Sequence, residues 1–200
     1  MAGPLRRMGI KKISDGKPQP KLETFEYDLV DIVRQGKALY VGISKYPKEA
    51  AEFAYKYLAE RDVHCLLYQG KYNLFNREPE EEGILRQAKE NGTGFIAFSP
   101  LAQGLLTNRY LNGIPEDSRM ARGGFLKKEQ LTEDVLSKIK ALNKMAEERG
   151  QTLAEMALAW VLKDDLVTSV IIGASSVAQL EDNLKAIRNT SFTKEELRRL

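Results

Sequence analysis

The chain holds one cysteine, one histidine and one tryptophan in 200 residues. A single thiol, Cys65, excludes an internal disulfide and fits a reducing, cytoplasmic compartment. One Cys next to one His, His64, cannot assemble a Cys/His metal site, and no metal ligation is expected. No apolar run approaches the roughly 20 residues that a membrane helix requires, so no membrane insertion is expected. Met1–Arg7 has no apolar core behind it, which argues against a secretory signal. Charge of one sign is missing too. The 31 basic and 28 acidic residues are well mixed and leave a net charge of +3, which gives no case for nucleic acid or an anionic membrane surface.

What is present is an alternation of strands and helices. Four short apolar runs read as strands: Ala38–Ser44, His64–Gln69, Phe95–Phe98 and Thr168–Gly173. They are continuous rather than alternating, the pattern of parallel strands covered by helices. Between them lie helical patterns. The first starts at Glu23, with Phe25, Leu29, Ile32 and Val33 on one face, and Gly36 stops it. The next runs from Pro47 to about Arg61 with Phe53, Tyr57 and Leu58 inward, and an acidic-first helix runs from Pro79 to Asn91. Thr132, the capping box Thr152–Glu155, Ser175–Ser176 and Thr193 open the remaining four. The fold class is therefore α/β. Residues 1–22, basic and broken by Gly16, Pro18 and Pro20, read as a poorly ordered, atypical amino-terminal segment, and 23–200 as the domain.

In a parallel sheet the strand ends share one rim, where Ser44, Gln69, Phe98, Ser99 and Ser175 converge. Pro100 ends the third strand and should push Ser99 into extended backbone. This rim offers hydrogen-bonding groups and one aromatic face, suited to a flat heteroaromatic ring bearing a carboxamide, and no strong acid, base or nucleophile. Arg109 and Arg119 follow the third strand. They either make an anion site with a helix N-terminus or stand as solvated loop residues. Gln179, Asp182 and Asn183 either belong to that site or form an ordinary polar helix face. His64, at the amino end of its strand, reads as structural.

Five motifs in order carry a family resemblance: Gly36–Ser44; Gln69 with Tyr72–Leu74; Phe98–Leu106; Tyr110 with Gly113–Pro115 and Ser118–Arg119; and Ile172–Ser176 followed by Gln179–Asn183. From about Gly36 onward the chain resembles the carboxyl-terminal half of the aldo-keto reductases. Within them it resembles the branch of the potassium-channel β-subunits and the bacterial reductases of glyceraldehyde-type aldehydes. The resemblance implies half of a (β/α)8 TIM barrel, with about four parallel strands, that binds NADP(H). Ser44 and Gln69 would hold the nicotinamide carboxamide and Phe98 would stack on its ring. Ser99, Leu101 and Gln103 would line the pyrophosphate, and Arg109 and Arg119 would meet the adenosine phosphates. Ser175, Gln179, Asp182 and Asn183 would take the adenine ribose end.

The family's catalytic Asp, Tyr, Lys and His come from strands that do not match this chain, so no catalytic residue is assigned. Tyr68 and Tyr72 flank the nicotinamide end but have no motif-fixed Lys/Asp pair beside them. The implied activity is NADPH-dependent reduction of small carbonyl compounds, with the catalytic half missing. A non-enzymatic NADP(H)-binding or interaction module and an inert fragment stay open beside it. Open barrel edges, and barrel-facing Leu39, Val41, Leu67, Ile96 or Phe98, and Ile171 or Ile172, lead to an expectation of self-association.

Overall fold

The computed structural model describes residues 29–116, 118, 121, 123 and 128–200. The segment 1–22, the helix start at Glu23 with Phe25, and Arg119 lie outside the described residues. Residues 29–34 are helical (α1), with Leu29 and Val30 buried, and Gly36 follows at φ +67°. Then come β1 (Val41–Ser44), α2 (Lys48–Ala59), β2 (Cys65–Lys71), α3 (Glu78–Glu81), α4 (Ile84–Glu90) and β3 (Gly94–Phe98). After a stretch of 3-10 turns the chain continues with α5 (Glu133–Glu148), α6 (Leu153–Val161), β4 (Ser169–Ile171), α7 (Val177–Leu184) and α8 (Lys194–Arg199). The strands form one sheet in the order β1-β2-β3-β4, and all three neighbouring pairs are parallel. This is the expected α/β architecture, four strands of a barrel.

Local chemistry sets most boundaries. Thr132, Thr152, Ser176 and Thr193 each accept a backbone N–H three residues on, and Thr152–Glu155 and Thr193–Glu196 close full capping boxes. The pattern from Pro79 to Asn91 is not one helix. Gly83 takes a left-handed conformation, φ +78°, and splits it into α3 and α4. The second strand does not end at Gln69. It runs through Gly70, where a Cβ would lie 2.5 Å from the Phe95 ring, to Lys71, which pairs with Phe98. The first strand starts only at Val41, paired with Cys65, and leaves Leu39 84% and Tyr40 67% exposed. The fourth stops at Ile171 because its partner β3 ends opposite it at Phe98.

Helices cover one sheet face. Ile43, Cys65, Tyr68, Phe95 and Ala97 are buried there with Tyr55, Leu58, Leu85 and Trp160 of the helices. The other face is open: Gly42, Ser44, Leu66, Lys71 and Ile171 are exposed, and Gln69, Ile96 and Phe98 are half-buried. Val41, expected on this barrel-side face, is instead in the core, because it alternates in phase with buried Ile43, two residues on.

Candidate functional site

The rim at the carboxyl ends of the strands carries the polar residues. On the open face Ser44 Oγ lies 3.2 Å from the Gln69 carbonyl and 3.3 Å from Gln69 Oε1, both acceptors for its hydroxyl. Neighbouring parallel strands put the two residues in register, so the pairing follows from the fold. Phe98 ends β3 between Lys71 and Ile171, with the Lys45 ammonium 5.9 Å from its ring centroid.

Beyond β3 the backbone turns sharply. Ser99, Ala102 and Gln103 have φ of +54°, +46° and +60°, and Gly104 follows at +103°. Three left-handed non-glycine residues within five positions persist only where surrounding contacts hold them, and such clusters mark ligand sites. Ser99 is therefore not extended, despite Pro100. Its carbonyl accepts from Ala102 N–H at 3.0 Å and from Asn73 Nδ2 at 2.9 Å, and these bonds offset the preference. Thr107 closes the turn by donating to the Gly104 carbonyl at 2.7 Å and accepting the Arg109 N–H.

This turn and the segment after β4 enclose a cleft of about 420 Å³. Ser99, Leu101, Gln103, Arg109, Ser175 and Gln179 line it together, with Thr107 and the backbone of Gly173. Gln179 Oε1 accepts from Ser175 N–H at 2.7 Å and Ser175 Oγ at 3.0 Å, which fixes the amide at the start of α7. Ser44, Gln69 and Phe98 form a second group on the open face and do not line this cleft. Asp182 and Asn183 do not line it either. Asp182 pairs with Lys185 at 2.6 Å, and that hydrogen bond holds the ammonium's pKa above its ordinary value. Asn183 is buried, and its Nδ2 is a donor without a partner.

The two tyrosines are buried in the core rather than open to this rim. Tyr68 stacks on Phe95 and donates to the Tyr46 carbonyl at 2.6 Å, and burial pushes its phenol up to about 12. Tyr72 is fully buried against Trp160. A lysine and an acid nevertheless stand beside it, fixed by the fold and not by a motif. Lys163 Nζ donates to the Tyr72 hydroxyl at 2.9 Å, and Glu80 Oε2 lies 3.1 Å from the same oxygen and also takes Arg77 Nε at 3.0 Å. Burial, then the Glu80 charge, push the Tyr72 phenol well above its ordinary range, the opposite of what a proton donor near neutral pH needs. Lys163 lies 91 residues from Tyr72, so no local pattern signals the pair. His64 is exposed at the amino end of β2, away from this rim.

A parallel α/β sheet backed by helices, with a cleft at its carboxyl rim, defines a partial (β/α)8 barrel. The sequence profile described as "Aldo/keto reductase family" matches residues 15–200, and the chain belongs to that family. It is thereby a member of an oxidoreductase family that acts on small carbonyl compounds and uses nicotinamide cofactors. It is 46% identical over 205 residues to L-glyceraldehyde 3-phosphate reductase of Escherichia coli (strain K12), covering 96% of this chain and 58% of that protein. It is 36% identical over 160 residues to a probable voltage-gated potassium channel subunit beta of Arabidopsis thaliana, covering 78% and 49%. A crystal structure of a thermostable aldo-keto reductase with the inhibitor epalrestat superposes with a TM-score of 0.64 at 26% identity, covering 91% of this chain and 54% of that one. The chain thus spans about half the length of the relatives it matches. No helix among the described residues is long and apolar enough to cross a membrane.

Proposed function

We propose that this chain is the cofactor-holding half of an NADP(H)-dependent carbonyl reductase and lacks the acid–base half. The observation that carries the reading is the cleft itself. Two separate strand ends bring two hydroxyls, two amides and one guanidinium, of Ser99, Ser175, Gln103, Gln179 and Arg109, around one space. That donor set suits an anionic, hydrogen-bonding ligand. The unpartnered, buried Asn183 Nδ2 on α7 is a donor in want of an acceptor, which agrees with a nucleotide end placed near that helix.

Ser99, Leu101, Gln103, Arg109 and Arg119 would serve the pyrophosphate and adenosine phosphates, and Ser175, Gln179, Asp182 and Asn183 the ribose end. Ser44, Gln69 and Phe98 would hold the nicotinamide on the open face, where the Ser44 hydroxyl already meets the Gln69 side chain. The cofactor, when bound, supplies the hydride. This chain's residues supply binding and orientation. Among the described residues no tyrosine is placed to give the proton, because Tyr68 and Tyr72 are buried with raised pKa values. A carbonyl reductase needs such a donor, so reduction belongs to an assembly that includes the other half of the barrel. The substrate class we assign is a small aldehyde, in keeping with the name of the E. coli relative.

The absent proton donor also favours a second reading, an NADP(H)-responsive interaction module without turnover, in keeping with the name of the plant relative. NADPH titration beside an aldehyde turnover assay separates the two from an inert fragment. Binding without turnover by the chain alone is expected. Robust NADPH oxidation by the chain alone would refute the division of labour.

A further inference from the structure

The turn that walls the cleft is built from conformations that its residues do not prefer, so something outside it must hold it. Asn73 is placed to do so. It follows β2 and is fully buried, and each of its polar groups is used. Its backbone exchanges hydrogen bonds with Asn76 at 3.1 and 3.0 Å, which pins the start of the β2–α3 connection. Its Oδ1 accepts the Phe75 N–H at 2.9 Å, which orients the amide. Its Nδ2 then reaches across to the Ser99 carbonyl at 2.9 Å, the first left-handed residue of the turn. That carbonyl also receives the Ala102 N–H, so one oxygen joins the Asn73 brace to the next left-handed residue.

We infer that Asn73 is a positioning residue for the cofactor cleft. Its amide holds Ser99 in the left-handed conformation that turns Ser99, Leu101 and Gln103 toward the ligand. The inference rests on the cofactor reading given above. Asn73 touches none of the cleft that those residues line and lies on the other side of the turn, in a larger cleft of about 720 Å³ that shares Gln103. Its effect therefore runs through the backbone. The residue type is specific. One side must accept from Phe75 while the other donates to Ser99, and aspartate, with the same shape, cannot donate when ionised.

The test is a double-mutant cycle on Asn73→Asp and Ser99→Gly, read by NADPH affinity and by site-resolved amide exchange. Glycine takes a positive φ without strain, so a turn that carries glycine in place of Ser99 no longer needs the brace. Asn73→Asp alone is expected to weaken NADPH binding about tenfold, of the order of one lost buried hydrogen bond. It should also speed exchange at the Ala102 amide relative to Ala97 in β3. In the Ser99→Gly background the same substitution should cost less than about threefold, since neighbours that share a strain couple. An equal cost in both backgrounds, or an Ala102 amide as protected as in the unmodified chain, would overturn the assignment. Should the aspartate variant not fold, Asn73→Ala removes the same donor without a charge and runs the same cycle. If the unmodified chain does not bind NADPH, the cofactor reading fails, and the exchange arm still decides whether Asn73 holds the turn.

Discussion

Replacing Lys163 with methionine separates a structural tyrosine–lysine pair from a catalytic one. Lys163 is 11% exposed, donates to Tyr72 at 2.9 Å, lies 3.6 Å from a Glu80 oxygen and sits 4.3 Å from the Trp160 ring centroid. A charge-assisted hydrogen bond is worth about 1.5 to 3 kcal/mol, and a partly desolvated cation over an indole adds about 1. Methionine keeps most of the stem packing and removes the cost of desolvating an ammonium, which offsets part of that sum. Glu80 keeps Arg77, and Tyr72 keeps Glu80, so no group is left wholly unpaired. The net loss should be about 2 kcal/mol. With a urea slope of about 2 kcal/mol per molar, the midpoint falls by about 1 M. NADPH affinity should stay within about twofold, and aldehyde reduction by the chain alone should be at background before and after. An unchanged midpoint, together with turnover present in the parent and lost in Lys163→Met or Tyr72→Phe, would make the pair an acid–base couple instead of a structural one.

Three further outcomes follow from single features. Tyr68 has its phenol raised from 10.0 to about 12, so the stability it contributes is fully present below pH 10 and lost as pH climbs toward 12. Thermal melting should fall across that window, and Tyr68→Phe should flatten part of the fall. Arg149 binds Glu196 at 2.5 Å, the Ser191 carbonyl at 2.9 Å and Gln151 at 2.8 Å, and it lies 3.8 Å from the Phe192 ring centroid. Arg149→Met should cost about 3 kcal/mol and release α8 to rapid amide exchange; an α8 protected as before would count against the clamp. The open face, with Leu66 and Ile171 each 47% exposed between two strand edges, should drive the isolated chain to self-associate. A monodisperse monomer by light scattering at micromolar concentration would contradict that expectation.

The features legible in the sequence are those that local chemistry decides. Four threonine and serine caps stand where the pattern puts them, because a cap needs only its own N3 N–H. The strands and their parallel order are legible for a similar reason, in short apolar runs separated by helices. Strand ends are not, because a ladder ends where its partner ends, as Ile171 does opposite Phe98. The helix break at Gly83 hides among residues that otherwise favour a helix. At the site, the family motifs point to the residues of the cleft, and the structure gathers six of them. The Tyr72–Lys163 pair and the Asn73–Ser99 bond are not legible. Both join residues far apart in the chain, and the second reverses the backbone preference that Pro100 imposes on Ser99.

Under the proposed function, the cleft holds NADP(H) without the rest of the barrel. A calorimetric titration of the chain with NADPH and NADH tests it, repeated with Arg109→Ala/Arg119→Ala. Saturable, weak binding that favours NADPH is expected, with a loss on the order of 1 to 3 kcal/mol in the double variant, the range for charge-assisted contacts. No binding at millimolar NADPH, or equal affinity for the two cofactors unmoved by the arginine substitutions, would contradict it.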